Sequence, residues 1–341
     1  MSKKVVPLTM ILFILLFGPF PGPAQKMYEA KKDSVKVPRQ PYWRYFTKDQ
    51  FDREISFYIS ETSSATNLPL IVYIQGSGAN SHFIKKNGQV IPVNGHIYLY
   101  ESLQGKARLL IVEKPGVKYL DDPGPGAMTK NSGFNQQHSL ERWAEAIKAS
   151  VKAVIRSGLA DSSRILVVGH SEGGLVACKV ANDMGQLVTH AAILAGGGDS
   201  QLYDILTLAR KGNFFMSISD DASTRVRFVL DEWEKIKSDP FNTAKFFFGF
   251  TYLRWSSFMK TSCLEQLEGC HARIFIAQGM KDENLDPVSA DQLYAHLLSK
   301  NKNVTYDRLE NADHSFNEKD NPDFNGWKAE MDKILTWFLA R

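Results

Sequence analysis

The sequence predicts an α/β protein in which a mostly parallel sheet carries helices on both faces and an inserted helical cap. Three observations carry this expectation. Short continuous apolar runs at 68–74, 107–113, 165–168, 191–195 and 273–278 have the composition of strands buried on both faces, as parallel sheets require. Helical stretches separate several of these runs, so consecutive strands are joined by right-handed crossovers. The alternation then stops over 199–270, which gathers 13 of the chain's 39 aromatic residues and contains no legible strand.

Each element has its own signal. Residues 51–60 alternate Phe51, Ile55, Phe57 and Ile59 with polar neighbours, the pattern of half-buried antiparallel edge strands. The run 68–74 is a buried strand that ends in Gln75-Gly76-Ser77-Gly78, and 107–113 is another, closed by Lys114-Pro115-Gly116. Residues 119–137 hold Pro123, Gly124, Pro125, Gly126 and Gly133, and so read as a loop over the sheet edge. Ser139 is the expected N-cap of a helix with Leu140, Trp143, Ile147, Val151 and Val154 on one face, ended by Gly158. A strand at 165–168 runs into a helix of small and apolar residues from Gly173, and 191–195 is a further strand closed by three glycines. Within 199–270, Val226, Val229, Leu230, Trp233 and Ile236 mark an amphipathic helix stopped by Pro240. The sheet resumes at 273–278, a helix begins at Pro287, 304–309 is the last strand, and a C-terminal helix carries Trp327, Met331, Ile334 and Phe338. The core is therefore expected over 51–198 and 271–341, the cap over 199–270, and an exposed polar lead-in, interrupted by Pro38 and Pro41, over 25–50.

Residues 1–24 have a different character. Lys3 and Lys4 precede an apolar run at 5–17, which is followed by a Gly/Pro-rich stretch ending in Pro23-Ala24, the order of a secretory signal peptide cleaved after Ala24. Prolines in the cleavage region leave an uncleaved N-terminal anchor as the alternative. Either way the expectation is export, periplasmic or extracellular, with no membrane span after cleavage. Lys3 and Lys4 are the only charges in this segment, so its removal lowers the net charge from +4 to +2, too small to argue for a nucleic-acid partner. With 43% hydrophobic and 23% charged residues, the rest is ordinary globular sequence. Cys263 and Cys270 are candidates for a disulfide in an oxidising compartment, and Cys178 reads as a small buried hydrophobe. Neither C-x-x-C nor H-E-x-x-H spacing occurs, and no metal or cofactor is expected.

The chemistry concentrates at Gly169-His170-Ser171-Glu172-Gly173, an instance of G-x-S-x-G placed between strand and helix. A serine hydroxyl is a weak nucleophile at neutral pH, so it needs a base, and the base needs a carboxylate to fix its tautomer. Three candidates follow three strands: Ser171 after 165–168, Asp282 after 273–278, and His314 after 304–309. In a parallel sheet those strand ends share one rim, where ligands bind. Asp286 competes for the role of acid, but Asp282 leaves its strand at once; Asp313 is too near His314 in sequence to reach its far nitrogen. The backbone N–H of Glu172 is the natural first donor to a developing oxyanion.

On these residues the chain resembles the α/β-hydrolase family, whose triad runs nucleophile, acid, histidine along the chain. The likeness extends from about Phe51 to the C-terminus, with 199–270 where the family carries its variable lid. Gly-His-Ser-Glu-Gly-Gly is similar to the nucleophile turn of esterase-like and prolyl-oligopeptidase-like members. The resemblance implies that Gln75-Gly76-Ser77-Gly78 corresponds to the family's His-Gly-x-Gly loop, with the Ser77 N–H as the second oxyanion donor and Gln75 in place of the usual histidine. It implies a serine hydrolase acting on a small ester or peptide-like substrate, a carboxylic ester first, with peptidase or thioesterase activity as alternatives. A non-catalytic binding protein on the same scaffold is the remaining reading.

Overall fold

A computed structural model describes residues 28–62, 67–124 and 128–340. The expected signal segment lies outside them. The strands are β1 (Lys31–Lys36), β2 (Tyr42–Lys48), β3 (Glu54–Ser60), β4 (Pro69–Ile74), β5 (Phe83–Lys86), β6 (Gln89–Pro92), β7 (Arg108–Val112), β8 (Asp161–His170), β9 (His190–Leu194), β10 (Phe246–Phe247), β11 (Phe250–Thr251), β12 (Arg273–Gly279) and β13 (Val304–Leu309). The helices are α1 (His96–Leu103), α2 (Ser132–Gln137), α3 (Leu140–Arg156), α4 (Glu172–Met184), α5 (Gln201–Lys211), α6 (Ala222–Ser238), α7 (Tyr252–Phe258), α8 (Cys263–Glu268), α9 (Pro287–Ser299) and α10 (Gly326–Leu339).

Nine strands form one sheet in the order β1-β2-β3-β7-β4-β8-β9-β12-β13. From β7 to β13 every pairing is parallel, and β1, β2 and β3 extend the sheet as an antiparallel edge. The apolar runs became strands because both faces are covered. Leu70, Val72, Ile165, Val167 and Ile193 point into one core with α3 and α4, while Ile71, Leu109, Leu166, Val168 and Leu194 point into the other with α1 and α10. Helix α3 begins where Ser139 predicted, its side chain accepting from Arg142 N, and Trp143 on it is fully buried.

Five expectations are corrected. The lead-in is not free: 31–36 and 42–48 are paired strands, and Tyr42 is buried with its hydroxyl 3.0 Å from His96 Nδ1. The edge strand expected from Phe51 starts only at Glu54, and Phe51 itself is exposed. The segment that leaves the sheet is shorter than 199–270. Its ends meet in a bridge between Ser200 and Ser262, and beyond that bridge α8 packs on α4 and α9 as part of the core. This segment also holds a small hairpin, β10–β11, where no strand was expected. Cys263 and Cys270 lie at opposite ends of α8, about two helical turns apart, and are unpaired; Cys178 is buried as expected.

Among the described residues no helix is long and apolar enough to cross a membrane. Several histidines are taken out of water among the described residues. Burial pushes His96, His138 and His170 down to about 4 and His82 well below the usual histidine range. Each holds its proton less tightly folded than unfolded, so between pH 6.5, the ordinary value, and 4 the unfolded chain binds more protons. Stability therefore falls as pH falls through that window. Urea unfolding followed by tryptophan fluorescence is expected to give a midpoint that drops continuously as pH falls from about 6.5 towards 4.5.

Candidate active site

Strand β8 ends at His170, and the chain turns into α4 through Ser171 at φ 55° and ψ −124°, a conformation that L residues adopt only under constraint. The constraint is local packing. A Cβ on Gly173 would lie 2.4 Å from the carbonyl oxygen of Gln75, so only glycine lets α4 start this close to the end of β4. The Ser171 N–H donates to Leu194 O at 2.9 Å, and its carbonyl accepts from Gly174 N at 2.8 Å. The side chain is left facing a cavity of about 1050 Å³ that Ser77, Ser171, Glu172 and His314 line together.

His314 is held from two sides. Its Nδ1 lies 2.7 Å from Asp282 Oδ2, and since a carboxylate only accepts, Nδ1 carries the proton and Nε2 is left as acceptor. Behind it, His170 Nε2 donates to the His314 carbonyl at 3.0 Å, with the two rings 4.9 Å apart. Asp282 is buried and saturated: Oδ1 accepts from Asn284 N and Leu285 N at 2.8 and 3.0 Å, and Oδ2 also accepts from Gln278 Nε2 at 3.0 Å. The close approach rests on Gly279, where a Cβ would come within 2.3 Å of Asp313 O. Asp286, the alternative acid, is otherwise engaged. Its Oδ1 caps α9 through Val288 N and pairs with Lys211 at 2.8 Å.

The expected oxyanion residues sit beside the serine. Gly76 is close enough that a Cβ on it would be 3.3 Å from Ser171 Cβ, and Glu172 follows Ser171 as the first residue of α4. Sequence reasoning gave the Glu172 side chain no role, yet it is the centre of a buried charge cluster. Oε1 lies 3.0 Å from His138 Nε2 and 3.4 Å from Lys114 Nζ, and Oε2 accepts from Arg254 Nε at 3.1 Å, with Arg254 Nη2 also in contact. Ser77 Oγ donates to Oε2 at 3.4 Å. Burial alone would raise this carboxyl, but Arg254, Lys114 and His138 outweigh it and hold it well below the usual carboxylate range. Lys114, His138 and Arg254 lie 58, 34 and 82 residues from it in sequence, and no local pattern signals them.

The walls combine two sources. Phe214, Phe248, Phe250 and Trp255 come from the segment between β9 and α8, and Tyr98 and Trp327 from the sheet side. Asp204 also lines the cavity. It is buried, and burial raises its carboxyl well above the usual range. No group of acids, histidines and cysteines arranged to hold a metal ion occurs among the described residues.

Fold and rim geometry together define an α/β-hydrolase. Est1E from Butyrivibrio proteoclasticus superposes with a TM-score of 0.54 at 13% identity, covering 87% of this chain and 99% of that one. An acylaminoacyl peptidase complexed with Z-Gly-Gly-Phe-chloromethyl ketone gives 0.57 at 14% identity, covering 89% of this chain and 42% of its own. A puromycin-hydrolyzing peptidase of Mycobacterium tuberculosis gives 0.50 at 14%, covering 91% and 39%. The chain thus spans about two-fifths of the length of these peptidases but nearly all of Est1E. No curated protein matches it in sequence. Residues 50–338 match the family described as "Putative esterase", and the chain belongs to that family.

The Glu172 cluster generates a prediction about stability. Replacing Glu172 by Gln leaves Lys114 and Arg254 buried without their counter-charge, which typically costs about 3–5 kcal/mol. Chemical unfolding of E172Q at neutral pH is expected to show a loss of this size with an unchanged denaturant slope; a loss below about 1 kcal/mol would mean that the cluster is not closed to water.

Proposed function

We propose that the protein is an exported serine hydrolase that cleaves carboxylic esters through an acyl-enzyme. Ser171 Oγ attacks the acyl carbon while His314 Nε2 takes its proton, and Asp282 keeps the imidazole in the required tautomer and stabilises its charged form. The backbone N–H groups of Ser77 and Glu172 receive the oxyanion. His314 then protonates the leaving alcohol, and a water activated by the same histidine releases the acid. Export rests on the character of residues 1–24.

The observation that carries this reading is the 2.7 Å contact between His314 Nδ1 and Asp282 Oδ2 at the rim of the cavity that holds Ser171. Membership of an esterase family supports the ester over the amide. The segment at 200–262 acts as a cap, and its aromatic walls favour an apolar or aromatic acyl group. Est1E, solved with ferulic acid bound, has a comparable fold at 15% identity and a TM-score of 0.55.

A fluorophosphonate probe is expected to label the wild-type protein and not S171A. With p-nitrophenyl esters of increasing chain length, methyl ferulate and aminoacyl anilides side by side, the esters are expected to turn over and the anilides not. Turnover of anilides alone would replace the esterase reading with a peptidase, and an intact protein that takes no label would remove the enzyme. Asp282→Asn is expected to lower kcat by about 10³–10⁴-fold, the effect of losing the correct tautomer. Asp286→Asn keeps a capping side chain on α9 and is expected to leave kcat unchanged. The reverse ranking would transfer the role of acid to Asp286.

A further inference from the structure

Lys114 is almost completely buried, 1% exposed, two residues past the end of β7 and beneath the Gln75–Gly78 loop. Its ammonium has three N–H donors and three acceptors: Gly76 O at 2.6 Å, Gly78 O at 2.9 Å and Glu172 Oε1 at 3.4 Å. The ring of Trp143 lies 4.4 Å away. A buried lysine is costly, and ordinary packing of a glycine-rich turn does not require one.

The geometry of the peptide unit says what this one does. All described peptide bonds are trans, so a C=O and the N–H of the same unit point in opposite directions. With the Gly76 carbonyl drawn down onto Lys114, the N–H of Ser77 is turned away from it, on the side where Ser77 lines the cavity and Gly76 lies against Ser171. The grip on Gly78 O holds the Gly78–Ala79 peptide, one unit beyond Ser77, so the loop is anchored to the same ammonium on both sides of that residue. The same ammonium is paired with the side chain of Glu172, whose own N–H is the other proposed donor.

We infer that Lys114 is a positioning residue of the oxyanion site: it sets the orientation of the Ser77 N–H and ties that donor to the start of α4 through Glu172. The inference rests on the proposed mechanism and extends it to a residue that never touches substrate. It has a consequence for pH. Burial lowers the Lys114 ammonium to about 8, against the pull of Glu172; Arg254, His138 and His82 are the other titratable groups around it. His138 and His82 are already neutral well below that pH, and Glu172 is ionised throughout. As pH rises through about 8, Lys114 loses one of its three donors and its charge, and charge-assisted bonds are roughly twice as strong as neutral ones. The Ser77 peptide is then released and kcat falls, with KM little changed.

The test uses the full-length protein and p-nitrophenyl acetate, with active sites counted by the final stoichiometry of fluorophosphonate labelling at Ser171. Lys114→Met is expected to lower kcat per labelled site by about 10²-fold, the scale of losing one oxyanion donor, and to slow the labelling itself. In the wild type, kcat is expected to fall on the alkaline side with a midpoint near 8, and in Lys114→Arg that limb is expected to move beyond the measured range. The wild-type profile keeps the inference testable even where Lys114→Met does not fold. A wild-type kcat that stays level from about pH 7 to about 9.5, or a folded Lys114→Met with wild-type kcat per site, overturns the positioning role and leaves the mechanism standing. A wild-type protein that neither hydrolyses the ester nor takes label at Ser171 overturns both.

Discussion

The buried carboxylate of Glu172 is the constraint from which the rest of the site follows. An isolated charge at this depth would neutralise itself or unfold the chain, so it persists only inside a shell of opposite charge from Lys114 and Arg254 and a hydrogen bond from neutral His138. That shell is drawn from three separate parts of the fold. Lys114 comes from the end of β7, His138 from the end of α2, and Arg254 from α7 in the segment beyond β9. Because Glu172 is also the first residue of α4, whatever fixes its side chain fixes the backbone next to Ser171. One carboxylate thereby couples the Ser171 turn, the Ser77 loop and the aromatic wall over the cavity.

The opposite side of the rim is built on the same logic with different means. Asp282 is saturated by two backbone N–H groups, Gln278 and His314, so its carboxylate has no freedom to turn. His314 is in turn backed by His170, whose own position next to Ser171 links the two halves. Gly173 and Gly279 supply the space, each at a point where backbone passes within 2.5 Å of where a side chain would begin. Preorganisation of this kind puts the cost of orienting dipoles into folding rather than into the reaction, which is the condition for strong electrostatic stabilisation of a transition state.

Much of this was legible in the sequence, and the pattern of what was not is physical. Strands β4, β7, β8, β9 and β12 were found because double burial leaves an uninterrupted apolar run, whereas the edge strand β13 is half exposed and carries Asp307 and Arg308; Ser171, Asp282 and His314 stood out because each follows the end of a strand. Strand β2 escaped because it lies in the antiparallel edge and mixes Arg44 and Lys48 with its buried tyrosines. The β10–β11 hairpin is two residues a side, too short for any periodicity. Lys114 and Arg254 were invisible for a deeper reason: charged residues are normally solvated, and only their convergence on Glu172, which no local spacing encodes, makes them part of the site. Asp282 and Asp286 were separable in sequence only by distance from the strand end, whereas in the fold one bonds His314 and the other caps a helix.

The most direct measurement of the central claim is a crystal structure of the protein after reaction with a small fluorophosphonate. The account predicts a covalent bond from Ser171 Oγ to phosphorus, with the phosphoryl oxygen about 2.7–3.1 Å from both the Ser77 and the Glu172 backbone nitrogens and His314 Nε2 directed at the adduct. A phosphoryl oxygen turned away from those two amides, or an adduct on any other side chain, would contradict it.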